Sequence, residues 1–306
     1  MNSRSYNTDL MVYDDIFDVS KKLIVKKNSI IDFKLVHRLM DHGRDLKKVF
    51  IPFRETSLFR DFKGIFNEEK YFTIFAPYRT NEEIADVMKD VMITEEIFKE
   101  LTNIEEHLPY TFRHILLVTA VIIKISMDLK GGDFDPACAA LSGLLHDLGK
   151  NRIPKNILAK DMPLTQSEYN ILKSHSIVTF LLLCYYLGGN LREICNAARD
   201  HHEMLDGSGY PRGTKNPGKY ARLITPVDIF DALVSQRPYR GSPFTIRQAL
   251  NHLINEANAG RVDREVVYHL IGYVRKEHPR PGELTSYDGK THVSGSDNAY
   301  GKIAPD

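Results

Sequence analysis

Residues 110–129 are apolar around most of a helical circumference. A helix of that kind has to be wrapped by others, because no face of it suits water. The stretch predicts one central buried helix in a mainly α fold, and the chain after Pro109 supplies the wrapping. Asp135-Pro136 offers an N-cap and a first-turn proline for a helix through AALSGLLHD, expected to close at Gly149. Thr165 to Glu168 has capping-box spacing and opens a helix expected to end near Gly188-Gly189. Further helices are predicted over 192–203, 223–235, 245–259 and 263–277.

Ahead of this region the pattern is mixed. LMVYDDIF, KKLIV and KKVFIPF read as strands, and DFKLVHRLMDHG reads as a helix ended by Gly43. Residues 1–80 are therefore expected to form a small α/β domain with a regulatory or packing role, although 55–78 show no period that assigns them. From Asn81, as cap, one connecting helix is expected across 81–108, leading into a helical domain over 109–280. Residues 281–306 are rich in Gly, Ser, Asp and Lys and read as a disordered tail.

Composition excludes several classes. A hydrophobic fraction of 42% and a charged fraction of 26% belong to a globular chain. With 41 basic and 40 acidic residues there is no global field to draw the protein onto a nucleic-acid polymer or anionic lipid, so any phosphate binding is local. No apolar run is expected to span a membrane, the longest candidate, Ile115 to Ile125, being short and interrupted by Thr119 and Lys124. The start MNSRSYNTDL shows no export signal. Cys138, Cys184 and Cys195 lie apart in apolar stretches and fit reduced core thiols, which points to the cytoplasm.

Five histidines, His114, His146, His175, His201 and His202, fall in the helical region with Asp147 and Asp228. A lone histidine on an apolar face is more often a satisfied core residue. Five with two carboxylates are different, since each ring buried without a partner costs about 1–3 kcal/mol, and a metal centre removes that cost. Imidazole and carboxylate without thiolate suit Fe, Mn, Zn, Co or Ni. His146 and Asp147, like His201 and His202, point about 100° apart on a helix, so they converge only at a helix end, unless Asp147 bridges two ions. Seven ligands suit two ions, the arrangement that polarises a phosphoryl group.

LLHDLGK at 144–150, HHEMLDGSGYPRG at 201–213 and VDIFDALVSQRPYR at 227–240 resemble the HD-GYP domains of the HD metallohydrolases, over roughly 105–275. The resemblance implies a helical fold, an iron or manganese centre and phosphodiesterase action on cyclic di-GMP. It implies two transition-metal ions, iron first and manganese as the alternative. His114, His146, Asp147 and Asp228 would form one shell, with Asp147 bridging to an ion held by His175, His201 and His202. Lys150 corresponds to the family lysine at the scissile phosphate and lies four residues after His146, one helical turn on; a solvated lysine at a helix end is the plainer alternative. Arg237 and Arg240 resemble phosphate contacts, and surface salt bridges would explain them equally. Products expected are pGpG, GMP or both.

In Asp206 to Gly213, Gly207 and Gly209 supply unusual backbone angles and Pro211 stiffens the exit. The loop is either a lid or protein-docking edge carrying Tyr210, or a structural turn. Glu203 is expected to orient a ligand histidine. Two departures bear on the resemblance. Tyr110 stands where members with three metals carry Glu, which argues for two ions. Met204 and Leu205 replace a basic residue and a Trp, which weakens guanine stacking. Gly131 to Phe134 echoes a diguanylate cyclase signature, but too few residues separate His114 from His146 to hold such a domain. A catalytically weak cyclic di-GMP sensor and an HD phosphohydrolase for another nucleotide are the competing readings.

Overall fold

The computed structural model describes residues 10–75, 78–129, 132–236 and 242–274. Strands β1 (Ile16–Phe17) and β2 (Leu23–Val25) pair antiparallel, with Ile16 opposite Val25. Helix α1 (Phe33–Asp45) starts where Asp32 accepts a hydrogen bond from Leu35 N at 2.8 Å, and it buries Val36, Leu39 and Met40. Strand β3 (Phe50–Pro52), helices α2 (Ser57–Gly64), α3 (Phe72–Phe75) and α4 (Tyr78–Lys89), strand β4 (Met92–Thr94) and helix α5 (Glu95–His107) follow.

The single helix expected over 81–108 is two helices. Met92–Thr94 between them pairs antiparallel with β3, Ile93 opposite Ile51, so the backbone has to leave the helical ladder there. Asn81 lies inside α4, and the cap belongs to Thr94, whose hydroxyl accepts from Ile97 N.

Helix α6 (Pro109–Asp128) is the central helix, with Ile115, Leu117, Val118, Ala120, Ile122 and Ile123 fully buried. Helix α7 (Pro136–Leu145) begins at Asp135, which accepts from Ala137 N at 2.8 Å. It stops at Leu145, not Gly149. Residues Leu148–Arg152 wind into a tighter 3-10 helix, and Gly149 packs so closely on the helix His175–Leu187 that a Cβ would fall 2.2 Å from His175 O. Helices α8 (Lys155–Leu158), α9 (Gln166–Lys173) and α10 (His175–Leu187) come next. The capping box of Thr165 and Glu168 opens α9, and Gly188, left-handed at φ 66°, ends α10. Helices α11 (Arg192–Asp200), α12 (Lys219–Val234), α13 (Ile246–Asn258) and α14 (Arg264–Val274) complete the order. Arg237, Arg240 and the expected tail over 281–306 lie outside the described residues.

The expected boundary at residue 80 does not divide two cores. Val12, Ile16, Val36, Phe53 and Phe62 belong to the same continuous apolar cluster as Leu117, Leu181 and Phe230. Helix α1 lies against α10 at a glycine crossing, where a Cβ on Gly43 would sit 2.5 Å from Gly188 N and Tyr185 O. A polar tie reinforces it: buried Glu100 accepts from Tyr186 Oη at 2.7 Å and Arg152 at 2.5 Å, while Val19 N donates to Tyr186 Oη and Arg152 Nε donates to Phe17 O.

By length and composition, Pro109–Asp128 and Gln166–Leu187 would each suffice to cross a membrane, which the expectation of no such segment missed. Their most apolar windows are 72% and 78% buried within the protein.

Candidate metal centre

Helix ends build this site. His146 and Asp147 follow the last residue of α7, His175 is the first residue of α10, and His201 and His202 follow the last residue of α11. At those ends the chain leaves the helical screw, so neighbouring side chains can turn to one point, as the spacing argument required. His114 comes from the central helix α6 and Asp228 from α12. All seven side chains are buried, and they form overlapping groups whose ligand atoms lie within 4.8 Å of one another: His114, His146 and Asp228; His146, Asp147 and His201; His175, His201 and His202.

The rings are aimed. His146 Nδ1 lies 2.6 Å from Gly143 O, His175 Nδ1 2.7 Å from Leu172 O, and His201 Nδ1 2.8 Å from Ala198 O. Each Nδ1–H therefore donates to the carbonyl three residues back, which leaves the Nε2 lone pair for the centre. His114 differs, because its Nδ1 faces Asp231 Oδ2 at 2.5 Å. Asp147 divides its carboxylate. Oδ2 lies 3.4 Å from His146 Nε2 and 3.7 Å from His114 Nε2, whereas Oδ1 lies 3.3 Å from His175 Nε2 and 3.9 Å from His201 Nε2. Asp228 meets His114 Nε2 at 3.0 Å with one oxygen and His202 Nδ1 at 3.5 Å with the other.

Electrostatics favour neutral rings and ionised carboxylates. Burial pulls His146, His175 and His201 down to about 4, against the partial opposition of Asp147. His202 is also held far below its ordinary range, by burial and then His201. His114 goes the other way: burial opposes its charge, but Asp228 and Asp231 outweigh it and raise the ring. Burial likewise works against the Asp147 charge, yet Lys150 and the surrounding histidines hold its carboxyl well below the usual range. Asp228 is depressed by His114 and His202 despite its burial.

Lys150 is buried, and its Nζ lies 2.5 Å from Asp147 Oδ2. It reaches the centre from the 3-10 helix and not, as the spacing suggested, from the turn of α7 after His146. Glu203 does not orient a ligand histidine. Its oxygens accept from Arg212 N at 2.6 Å and Thr214 N at 2.9 Å, so it fastens the loop of residues 206–213. Within that loop Asp206 accepts from Ser208 N and Oγ, Gly207 has φ 87°, and the Tyr210-Pro211 bond is cis. A Cβ on Gly209 would come within 2.3 Å of Met204 N, and Tyr210 stacks on His202 at 4.7 Å between ring centroids. Tyr110, 66% exposed at the start of α6, lies at the surface.

Sequence reasoning missed Asp231, Tyr71 and Ser235. Asp231 had a readable signal, since it follows Asp228 by three residues and shares its helix face. Tyr71 sits in the stretch that no periodicity assigned, and its phenol donates to Asp231 Oδ1 at 2.5 Å.

His146 Nε2 and Asp147 Oδ1 are buried and lack a hydrogen-bond partner, a costly arrangement that metal ligation relieves. The residues thus fit a metal group, and the donor set of imidazole and carboxylate suits transition ions. A helical fold that gathers paired histidine and aspartate side chains at its helix ends defines a class of helical domain built to hold metal. The chain matches the HD domain family over residues 97–266 and belongs to it, in its HD-GYP branch. It is 35% identical over 159 residues to 3'3'-cGAMP-specific phosphodiesterase 1 of Vibrio cholerae, covering 51% of this chain and 36% of that protein. Over 135 residues it is 35% identical to a cyclic di-GMP phosphodiesterase of Pseudomonas aeruginosa, covering 43% and 32%. The chain therefore spans well under half the length of these two relatives. A cyclic di-GMP phosphodiesterase of Thermotoga maritima is 30% identical over 277 residues, covering 87% of this chain and 69% of that one.

Proposed function

We propose that the chain is a metal-dependent phosphodiesterase that opens cyclic di-GMP to pGpG, GMP or both, using two ions, iron or manganese. The observation that carries this reading is the divided Asp147 carboxylate, whose two oxygens face separate histidine groups. His114, His146 and Asp228 would hold one ion, His175, His201 and His202 the other, and Asp147 both. Such a pair supplies positive charge against phosphoryl oxygens and acidifies water.

The chain's own groups do the rest. Lys150, already beside Asp147, holds a phosphate oxygen and neutralises charge that grows as phosphorus is attacked. His146, His175 and His201, held neutral at ordinary pH, keep their Nε2 lone pairs for ligation. Tyr210, stacked on His202, fixes that ring's plane and places the loop at the edge of the site.

A second substrate deserves equal test, because two Vibrio cholerae relatives at 35% and 36% identity are named 3'3'-cGAMP-specific phosphodiesterases. Metal-loaded protein is to be incubated separately with cyclic di-GMP, 3'3'-cGAMP and pGpG and the products separated by chromatography. Linear dinucleotide or GMP from cyclic di-GMP supports the proposal, and cleavage of 3'3'-cGAMP alone moves the substrate. Binding of cyclic di-GMP without any product would make the protein a sensor and sink the enzymatic reading.

A further inference from the structure

Within the histidine cluster, His114 is held differently from His146, His175 and His201. The Nδ1 atoms of His146, His175 and His201 face backbone carbonyls, while that of His114 faces the Asp231 carboxylate at 2.5 Å. Asp231 in turn receives Ser235 Oγ at 2.9 Å and Tyr71 Oη at 2.5 Å, both on Oδ1. Tyr71 lies outside the helical motifs that carry the ligands, in a 3-10 helix of the front segment, and its ring packs on Phe75 and edge-on against Phe230 of α12. The same segment grips the helices that carry His114 and Asp228. Glu68 pairs two-pronged with Arg113, the residue before His114, and Lys70 Nζ donates to Val234 O near the end of α12.

We propose that Tyr71 is a positioning residue through which the front segment sets the affinity of one metal position, the one served by His114, His146 and Asp228, while leaving the His175, His201 and His202 position alone. This rests on the metal-centre reading above. The physical reason is that a carboxylate accepting a histidine N–H fixes the ring's tautomer and plane and strengthens its Nε2 as a ligand. The Tyr71 hydroxyl fixes the carboxylate itself. The link from the front segment through Tyr71 and Asp231 ends on the His114 ring, so a shift of the front segment would act on the metal position that this ring serves.

Metal-free full-length protein and its Tyr71→Phe variant are to be titrated with Mn2+ while the signal of unbound Mn2+ is followed. The variant keeps the buried ring and removes only the hydroxyl. We expect two classes of site in the wild type, with one class weakened about 10–100-fold in the variant and the other unchanged. Asp231→Asn should weaken the same class, and in a His175→Ala background Tyr71→Phe should weaken the class that remains. Equal affinities in wild type and Tyr71→Phe would overturn the inference, as would equal weakening of both classes with a lower metal-free melting temperature, the mark of a packing role. A wild type that binds no Mn2+ would overturn the metal-centre reading along with it, whereas two intact classes without any phosphodiesterase activity would leave this inference standing and sink only the enzymatic one.

Discussion

At the scale of single residues the site turns on Asp147. Each of its oxygens serves a different histidine group, and the only other carboxylate in the three ligand groups, Asp228, is occupied with His114 and His202. Asp147→Ala should therefore lose most bound metal and all turnover, checked by metal analysis of the purified variant beside a product assay. Full metal retention would remove the bridging role. Lys150→Ala should behave oppositely, keeping its metal while turnover falls about a hundredfold or more, because the ammonium acts on substrate charge. Loss of metal in that variant would place Lys150 in the ligand framework. The metal-free chain carries a pH signature too. His146, His175 and His201 are depressed from 6.5 to about 4, so the unfolded chain binds more protons between those values and folding stability falls as pH drops through them. His114, which is raised, opposes this weakly. Denaturation midpoints that stay level between about pH 6.5 and about pH 4 would contradict it.

At the scale of elements, helix starts were legible and helix ends less so. Asp135 and Thr165 both cap as their spacing predicts, because capping depends on side chains within one turn. The ends of α7 and of the segment after Asn81 were misplaced, since Gly149 is committed to contact with α10 and Met92–Thr94 to pairing with β3. Both causes lie far along the chain. Contacts of this kind are also where single changes cost most. In Gly43→Ala the new methyl would meet backbone atoms of α10 at 2.5 Å, and backbone cannot rotate away. We expect a loss of about 1–3 kcal/mol, read as a lower thermal midpoint with metal content restored on saturation; an unchanged midpoint would mean the helices part without cost.

At the scale of the whole molecule, one core runs from the front segment through the helical region. A fragment beginning at Asn81 would expose the face of α10 that covers α1, and it would lose both Tyr71 and the Glu68 clamp on Arg113. It should be poorly soluble or melt well below the full chain, and its metal binding should weaken. A soluble fragment with the full chain's metal content and cooperative melting would restore the two-domain division that the sequence suggested. The match to the Thermotoga maritima relative extends over 87% of this chain, more than the helical region alone.

The sequence by itself determined the identities that chemistry needs: seven residues of metal-ligating type, a lysine beside them, a buried central helix and the caps at Asp135 and Thr165. These were readable because residue type and spacing within a turn or two set them. Only the tertiary structure decided which Asp147 oxygen faces which ring, that Glu203 holds a loop and not a histidine, and that Tyr71 from an unpatterned stretch supports Asp231. Those outcomes depend on side chains brought together from distant segments, such as Tyr71 and Asp231, 160 residues apart. Local periodicity carries no record of such meetings, because they are settled by how whole helices pack around one shared core.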